Sequence, residues 1–157
     1  MNYLVDGHNL IPKISGLSLR TLDDEQRLIE LLQIYCRVRR QRVEVFFDQA
    51  PPGHAGPKQA GMVMVHFVRQ GRTADEAIVA RLDQLGKAAR NWVVVSSDRQ
   101  VQVEARKRQA EIRSSEQFAD ELLSALKASQ AGSAGDESRL SDEELKEWLD
   151  LFGERPD

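Results

Sequence analysis

Four aspartates occupy comparable points in this sequence. Asp6 follows NYLV, Asp48 follows VEVFF, Asp75 lies within GRTADEAIV, and Asp98 follows WVVVSS. Taken singly, an aspartate after an apolar segment forms a turn or caps a helix, and one in a helix's first turn answers the helix dipole. Four carboxylates sent to one place are different. They repel, and the repulsion is relieved by retaining protons or by gathering a cation. The donors are all oxygen, which selects Mg2+ or Mn2+ over zinc. No HExxH occurs, and His8, His54 and His66 are scattered. A hard divalent ion held by a few carboxylates works on phosphates. It polarises a phosphoryl oxygen, lowers the pKa of water and steadies the leaving oxygen. The chemistry this anticipates is in-line attack of activated water on a phosphodiester. Asp6, Asp75 and Asp98 are the principal candidates as catalytic residues and metal ligands, with Asp48 a supporting metal ligand. Asn9 is placed to orient a phosphate or to ligate through water, and Glu76 adjoins the group.

Basic residues accompany the acids. Arg72 stands just before Asp75 and Arg99 directly follows Asp98, so sequence ties both to the acidic positions and makes them candidate phosphate ligands. His8 adjoins Asp6 and suits contact with a phosphate or a base. His54, in a Pro/Gly-rich stretch, reads as a solvated loop residue, and His66, inside an apolar run, as a packed one. The group Arg37, Arg39, Arg40 and Arg42 complements the end of a helix. Residues 1–113 carry 18 Lys and Arg against 13 Asp and Glu, whereas residues 114–157 carry 4 against 12. A basic body with an acidic tail suits a polyanionic partner. No run of exposed aromatics is evident, which anticipates backbone-led contacts, weak base readout and marked salt sensitivity.

The elements that must position these side chains alternate. Residues 2–5, 43–47, 62–68 and 92–96 read as strands, with a brief further strand over 110–114. A helix is expected over 22–41, with Leu28, Leu31, Leu32, Tyr35 and Val38 at helical spacing and Thr21 as N-cap. Another starts near Ala74, where Thr73 and Glu76 form a capping box, and carries Ile78, Leu82 and Leu85 inward. A third carries Val101, Val103 and Ala105, and a fourth spans 115–128. The stretch QAPPGHAGPKQAG reads as a loop. Alternation of this kind predicts an α/β sandwich around a mainly parallel sheet of about five strands, with helices on both faces. Runs such as VEVFF and WVVVS lack polar alternation, as strands covered on both faces do. Parallel pairing brings the carboxyl ends of the strands, and so the four aspartates, to one edge. The expected organisation is one domain over 1–129, a flexible linker over 130–140, and an amphipathic helix and tail over 141–157, with Ser141 and Glu144 as a second capping box.

Other classes are excluded. There is no GxxxxGK[ST] and no GxGxxG after a strand. An aspartyl-phosphate phosphatase would carry a second Asp where His8 stands. A receiver domain would carry paired acids after its first strand and a late lysine. The one cysteine, Cys36, permits neither an internal disulfide nor a thiolate cluster. No run approaches the ~20 apolar residues of a membrane span, and the opening residues lack the pattern of a signal peptide, so a cytoplasmic protein is expected.

The segments VDGHN, VFFD, GRTADEAIV and VVSSDRQV, followed by IRSSEQFADEL, resemble the YacP-like NYN-domain ribonucleases, within the wider PIN-like nucleases. The resemblance runs over residues 1–127, and the closing LSDEELKEWLDLFG is similar to that family's tail. It implies a PIN-like three-layer sandwich and metal-dependent endonucleolytic cleavage of RNA, in RNA processing or mRNA decay, with mRNA on the ribosome as a candidate partner. The family's acidic positions fall on Asp6, Asp75 and Asp98, with Asp48 a further match and Asn9 the amide of the opening motif. Two departures stand out: His8 where the family more often has Tyr, and Gln109-Ala110 where it often has Gly-Ala. The alternatives are a non-catalytic RNA-binding or ribosome-associated module and a metal-dependent phosphatase of small substrates.

Overall fold

A computed structural model describes residues 2–14, 22–50, 53 and 56–131. Thr21, His54, most of the expected linker and the expected terminal helix lie outside these residues. The elements are β1 (Asn2–Asp6), α1 (Gly7–Leu10), a 3-10 turn (Ile11–Lys13), α2 (Leu22–Arg39), β2 (Arg42–Ala50), β3 (Gly56–Ala60), β4 (Val63–Arg69), α3 (Ala74–Leu85), a second 3-10 stretch (Gly86–Asn91), β5 (Trp92–Val95), α4 (Arg99–Lys107), β6 (Glu111–Arg113) and α5 (Ser115–Ala131). They form one six-stranded sheet in the order β3-β4-β2-β1-β5-β6, parallel throughout except for β3, which runs antiparallel to β4.

The period-two alternation of a strand divides the core in two. Tyr3, Val5, Val45, Phe47 and Val95 point to one face and pack with Leu28, Leu31, Leu32 and Tyr35 of α2 and Phe118, Leu122 and Leu126 of α5. Leu4, Phe46 and Val94 point to the other and pack with Ile78 and Leu82 of α3 and Val101 and Ala105 of α4. Each such side chain fully removed from water contributes about 1.5–3 kcal/mol. Tyr3, Tyr35 and Phe118 add an aromatic triangle with ring centroids 5.0–5.8 Å apart. Cys36 is fully buried in the α2 layer, and burial pushes its thiol up to about 12.

Most expected elements fall within a few residues of their predicted bounds. Four details differ. The stretch read as a loop after Asp48 is largely strand: β2 runs on to Ala50 and Gly56–Ala60 form β3, making six strands rather than about five. The first long helix stops at Arg39, where Arg40 turns to φ 55°. Val103 lies on the outer face of α4, at 46% exposure. Gln130 and Ala131, expected in the linker, are the last residues of α5.

The topology fixes where a ligand can sit. β1 is followed by α2 on one face, whereas its neighbour β5 is followed by α4 on the other. The loops leaving these adjacent strands part in opposite directions, and the crevice between them is the switch point at which open parallel sheets hold ligands.

α4 ends in a tight turn. Gln109 N–H donates to Arg106 O (2.9 Å) and Ala110 N–H to Ala105 O (3.0 Å), which places Gln109 at φ 66°. Glycine occupies that left-handed region without the steric penalty of a side chain, and this is the position where the resembled family often carries it. Gln109→Gly is expected to raise stability by up to about 1 kcal/mol, visible as a higher denaturation midpoint with unchanged denaturant slope.

Candidate active site

Asp6 ends β1 at the switch point and is 6% exposed. Burial, reinforced by the charges of Asp75 and Asp48, raises its pKa to about 6, against the pull of the Asn9 backbone N–H and the Ser96 hydroxyl. Ser96 is fully buried just after β5. Its Oγ donates to Asp6 Oδ2 (3.4 Å) and accepts from the Asp98 N–H (3.1 Å). One hydroxyl thus links the carboxylate of one strand end to the loop of the next.

The other three aspartates reach the same edge from different elements. Asp75 lies in the first turn of α3, started by Thr73, whose hydroxyl accepts from the Glu76 N–H (3.1 Å) as the capping pattern anticipated. Its pKa is raised by burial first, then by Asp98 and Asp48. Asp98 caps α4, its Oδ1 accepting from the Gln100 N–H (2.8 Å). The capping role weighed for it in the sequence is therefore real, and it coexists with repulsion from Asp75. Asp48 Oδ1 takes Nδ1 of His8 at 2.7 Å, while Nε2 of His8 pairs with Glu25 of α2. These carboxylates, Glu25 foremost, raise the pKa of His8. Both ring nitrogens of His8 are therefore engaged, and the imidazole acts here as a counter-charge to Asp48.

Gly7 explains how His8 gets there. A Cβ at Gly7 would lie 2.3 Å from Cε1 of Phe47. The chain can turn from β1 into α1 against that ring only if residue 7 has no side chain, and the turn carries His8 to Asp48, 5.3 Å from Phe47 between ring centroids. Asn9 is equally committed. Its Oδ1 accepts from the Ser97 N–H (2.8 Å) and the Ser115 hydroxyl (2.6 Å), fastening the loop after β1 to the loop after β5 and to the start of α5. Ser97 Oγ in turn donates to Glu116 (2.7 Å), which also pairs with Lys13 (3.0 Å). The Ser97 bond, the Glu116 backbone N–H and Lys13 together hold the Glu116 carboxyl at about 2. Arg72 is exposed and loosely paired with Glu76 at 3.8 Å, and Arg99, exposed at the start of α4, has no partner among the described residues.

The structure thus brings Asp6, Asp48 and Asp75 within electrostatic reach of one another, joins Asp98 to them through Asp75, and turns the Asn9 oxygen to holding loops together. Sequence reasoning missed Ser96, Ser97, Ser115 and Glu25. The serines lay inside quoted motifs but were given no role of their own, and nothing in the sequence of α2 marks Glu25.

The donor chemistry fits a hard divalent cation: oxygen donors only, mutually repelling, with the pKa of Asp6 raised to about 6 by burial and then by its acidic neighbours. Among the described residues no three His, Cys, Asp or Glu side chains already stand close enough together to hold a metal. Mg2+ does not require that, because it retains several waters and is commonly held by one or two carboxylates together with substrate phosphate.

A mainly parallel sheet between two helical layers, with acids converging at its switch point, defines a PIN-like α/β domain. The chain belongs to the YacP-like NYN domain family, whose model matches residues 3–152. Among solved structures it is similar to Rae1 (YacP) from Bacillus subtilis, at 25% identity and TM-score 0.68 over 94% of this chain and 92% of that one. It is likewise similar to a Trp-to-Leu variant of that protein, at 24% identity and TM-score 0.67 over 96% and 91%. No curated protein matches the chain.

Two outcomes are expected. The Asp6 carboxyl titrates at about 6 in the folded chain and near 3.8 unfolded, so the native state holds more protons in between and loses stability as pH rises through that window. The cost, about 3 kcal/mol, is complete above pH 6. In metal-free protein Asp6→Asn should therefore match or exceed the parent in stability at pH 7 and lose that advantage below pH 4, as followed by urea titration at each pH. Gly7→Ala should cost about 1–3 kcal/mol by overpacking against Phe47, measured as a fall in melting temperature.

Proposed function

We propose that this chain is a metal-dependent endoribonuclease that hydrolyses internal phosphodiester bonds of RNA, in cytoplasmic RNA processing or decay, with ribosome-bound mRNA among its candidate substrates. The observation that carries the reading is Asp6: a carboxylate at the switch point, its pKa raised by burial first and then by Asp75 and Asp48, whose ionised form is stabilised by any cation placed among them. Asp6 and Asp75 are the main candidates to hold Mg2+ or Mn2+, with Asp98 and Asp48 in support. When bound, such an ion supplies phosphoryl polarisation and a more acidic water.

The chain's own residues do the rest. Arg72 and Arg99, exposed beside the acids, take the phosphates on either side of the scissile bond by charge-assisted hydrogen bonds. Asn9 acts through Ser97 and Ser115, holding the β5–α4 loop so that Asp98 faces Asp75. His8 keeps Asp48 paired until substrate and metal arrive, which limits repulsion in the empty site. The family's character supports a nuclease, and the basic charge of residues 1–113 supports a polyanion as partner. Among the described residues no helix is long and apolar enough to cross a membrane. The lack of three preassembled metal-holding side chains favours a second reading, an RNA-binding module that does not cut.

Incubation of the full chain with single-stranded and structured RNA, with Mn2+ or Mg2+ and then with chelator, separates the two. Internal cuts abolished by chelator, and reduced about 100-fold or more by Asp75→Asn, support the nuclease; binding without cuts in either metal supports the module. Asp98 offers a sharper test. Asn caps a helix as well as Asp does, whereas Ala loses about 1 kcal/mol. Asp98→Asn should therefore abolish most cutting at unchanged melting temperature, and Asp98→Ala should lose both. Loss of cutting in Asp98→Ala alone would reduce Asp98 to its capping role.

A further inference from the structure

One row of side chains crosses the sheet beside the acidic edge. Asp6 of β1 is in register with Phe46 of β2, Phe46 with His66 of β4, and His66 with Pro57 of β3. Phe46 and His66 stack nearly parallel, with ring centroids 4.4 Å apart and planes 9° apart. α3 packs on β1 and β2, at the inner part of this row, while β4 and β3 carry the row on to the edge of the sheet. The result is a cavity of about 330 Å3, walled by His66 and Pro57 on the sheet side and Ala77 and Ala80 on the helix side, with Arg69 and Arg72 also lining it. That volume falls near the lower end of the roughly 300–1,000 Å3 of small-molecule sites.

Three features make this more than a packing gap. First, the chain joins it to the acidic edge: Arg69 and Arg72 line it, and Arg72 N–H donates to Arg69 O (3.2 Å) in the turn that leads directly into α3 and Asp75. Second, its cations are available. Arg69 has no carboxylate partner among the described residues, and Arg72 has only the loose contact with Glu76. Third, its far end is prebuilt. Arg81 donates to both oxygens of Glu44 (2.9 and 3.0 Å) and lies 5.4 Å over the Trp92 ring, while Glu44 also takes His66 Nε2 at 2.8 Å. This network holds the His66 ring and the inner wall still whether or not anything is bound. Two small alanines, a stacked ring pair and two arginines lining one cavity match one nucleotide: a base between the walls and its phosphate on the cations.

The geometry points to a base-holding subsite here, which seats one nucleotide of an RNA strand displaced from the scissile bond and so sets where the strand is cut. This rests on the nuclease reading and departs from the purely backbone-led binding that the shortage of exposed aromatics had suggested.

The test uses short single-stranded RNA oligonucleotides in which each nucleotide in turn lacks its base. Binding to the full chain is measured in chelator, and cutting is measured separately with Mn2+. The variant is Ala80→Leu, which keeps good helix propensity and fills the cavity from the half-buried face of α3; its melting temperature and helix content confirm folding. Removal of the base at one fixed position should weaken binding to the parent protein by about tenfold, within the range for stacking of a single base. The same removal should cost Ala80→Leu little, because its cavity is already closed, and Arg69→Ala should weaken binding to intact and abasic strands alike. A positional penalty that Ala80→Leu abolishes supports the subsite even if no strand is cut. Cutting with no positional penalty, or a penalty that Ala80→Leu retains, overturns the subsite and leaves the nuclease reading in place. Failure to bind any RNA overturns the subsite as well.

Discussion

The constraint on which this structure turns is the mutual repulsion of carboxylates that a parallel sheet delivers to one edge. Asp6 has little water to solvate its charge and faces Asp75 and Asp48, so its pKa rises to about 6 and its ionised form at physiological pH is held at a cost. A site of this kind costs stability in the empty protein, and much of the local architecture offsets that cost. The Ser96 hydroxyl and the Asn9 backbone N–H donate to Asp6. Asp75 lies in the first turn of α3 and Asp98 caps α4, so helix N-termini face two of the charges. His8, clamped by Glu25, answers Asp48. Each device weakens the repulsion without removing a donor oxygen, as a fold must do if the charge is to remain available to a ligand.

The same region shows how loops are made rigid without much secondary structure. Asn9, Ser97, Ser115 and Glu116 come from three different strand ends and form one hydrogen-bonded chain closed by Lys13. Every member has a partner, so the network fixes the spacing between β1 and β5 while burying polar atoms at little cost. Asn9, which the sequence placed to orient a phosphate or to ligate through water, is the knot that ties those loops. The comparison with Rae1 (YacP) from Bacillus subtilis shows that the fold as a whole persists at about one residue in four identical.

Much of this was legible before any coordinates. Apolar runs ending in aspartates specify parallel strands and a shared edge, and the Thr73–Glu76 pair marks the start of α3 to the residue. The β3–β4 hairpin was not legible, because Gly56 and Pro57 are strand breakers in any local reading. They are tolerated since β3 pairs with β4 alone, so a residue without an N–H fits on its open side. Ser96 and Glu25 were illegible for another reason. Their importance lies in partners 90 and 17 residues away in sequence, and no local pattern encodes a contact that only the sheet order creates. Gln109 is the opposite case: the sequence showed a departure from glycine, and the structure showed what that departure strains.

The buried Cys36 has a practical consequence. It is the chain's only thiol, fully enclosed and held far from ionisation, so it is inert to alkylating and oxidising reagents while the fold is intact. A second cysteine placed by design on the surface would be the sole reactive sulfur. Dyes, spin labels or photocrosslinkers can therefore be attached at one chosen position without first stripping the native cysteine from the protein.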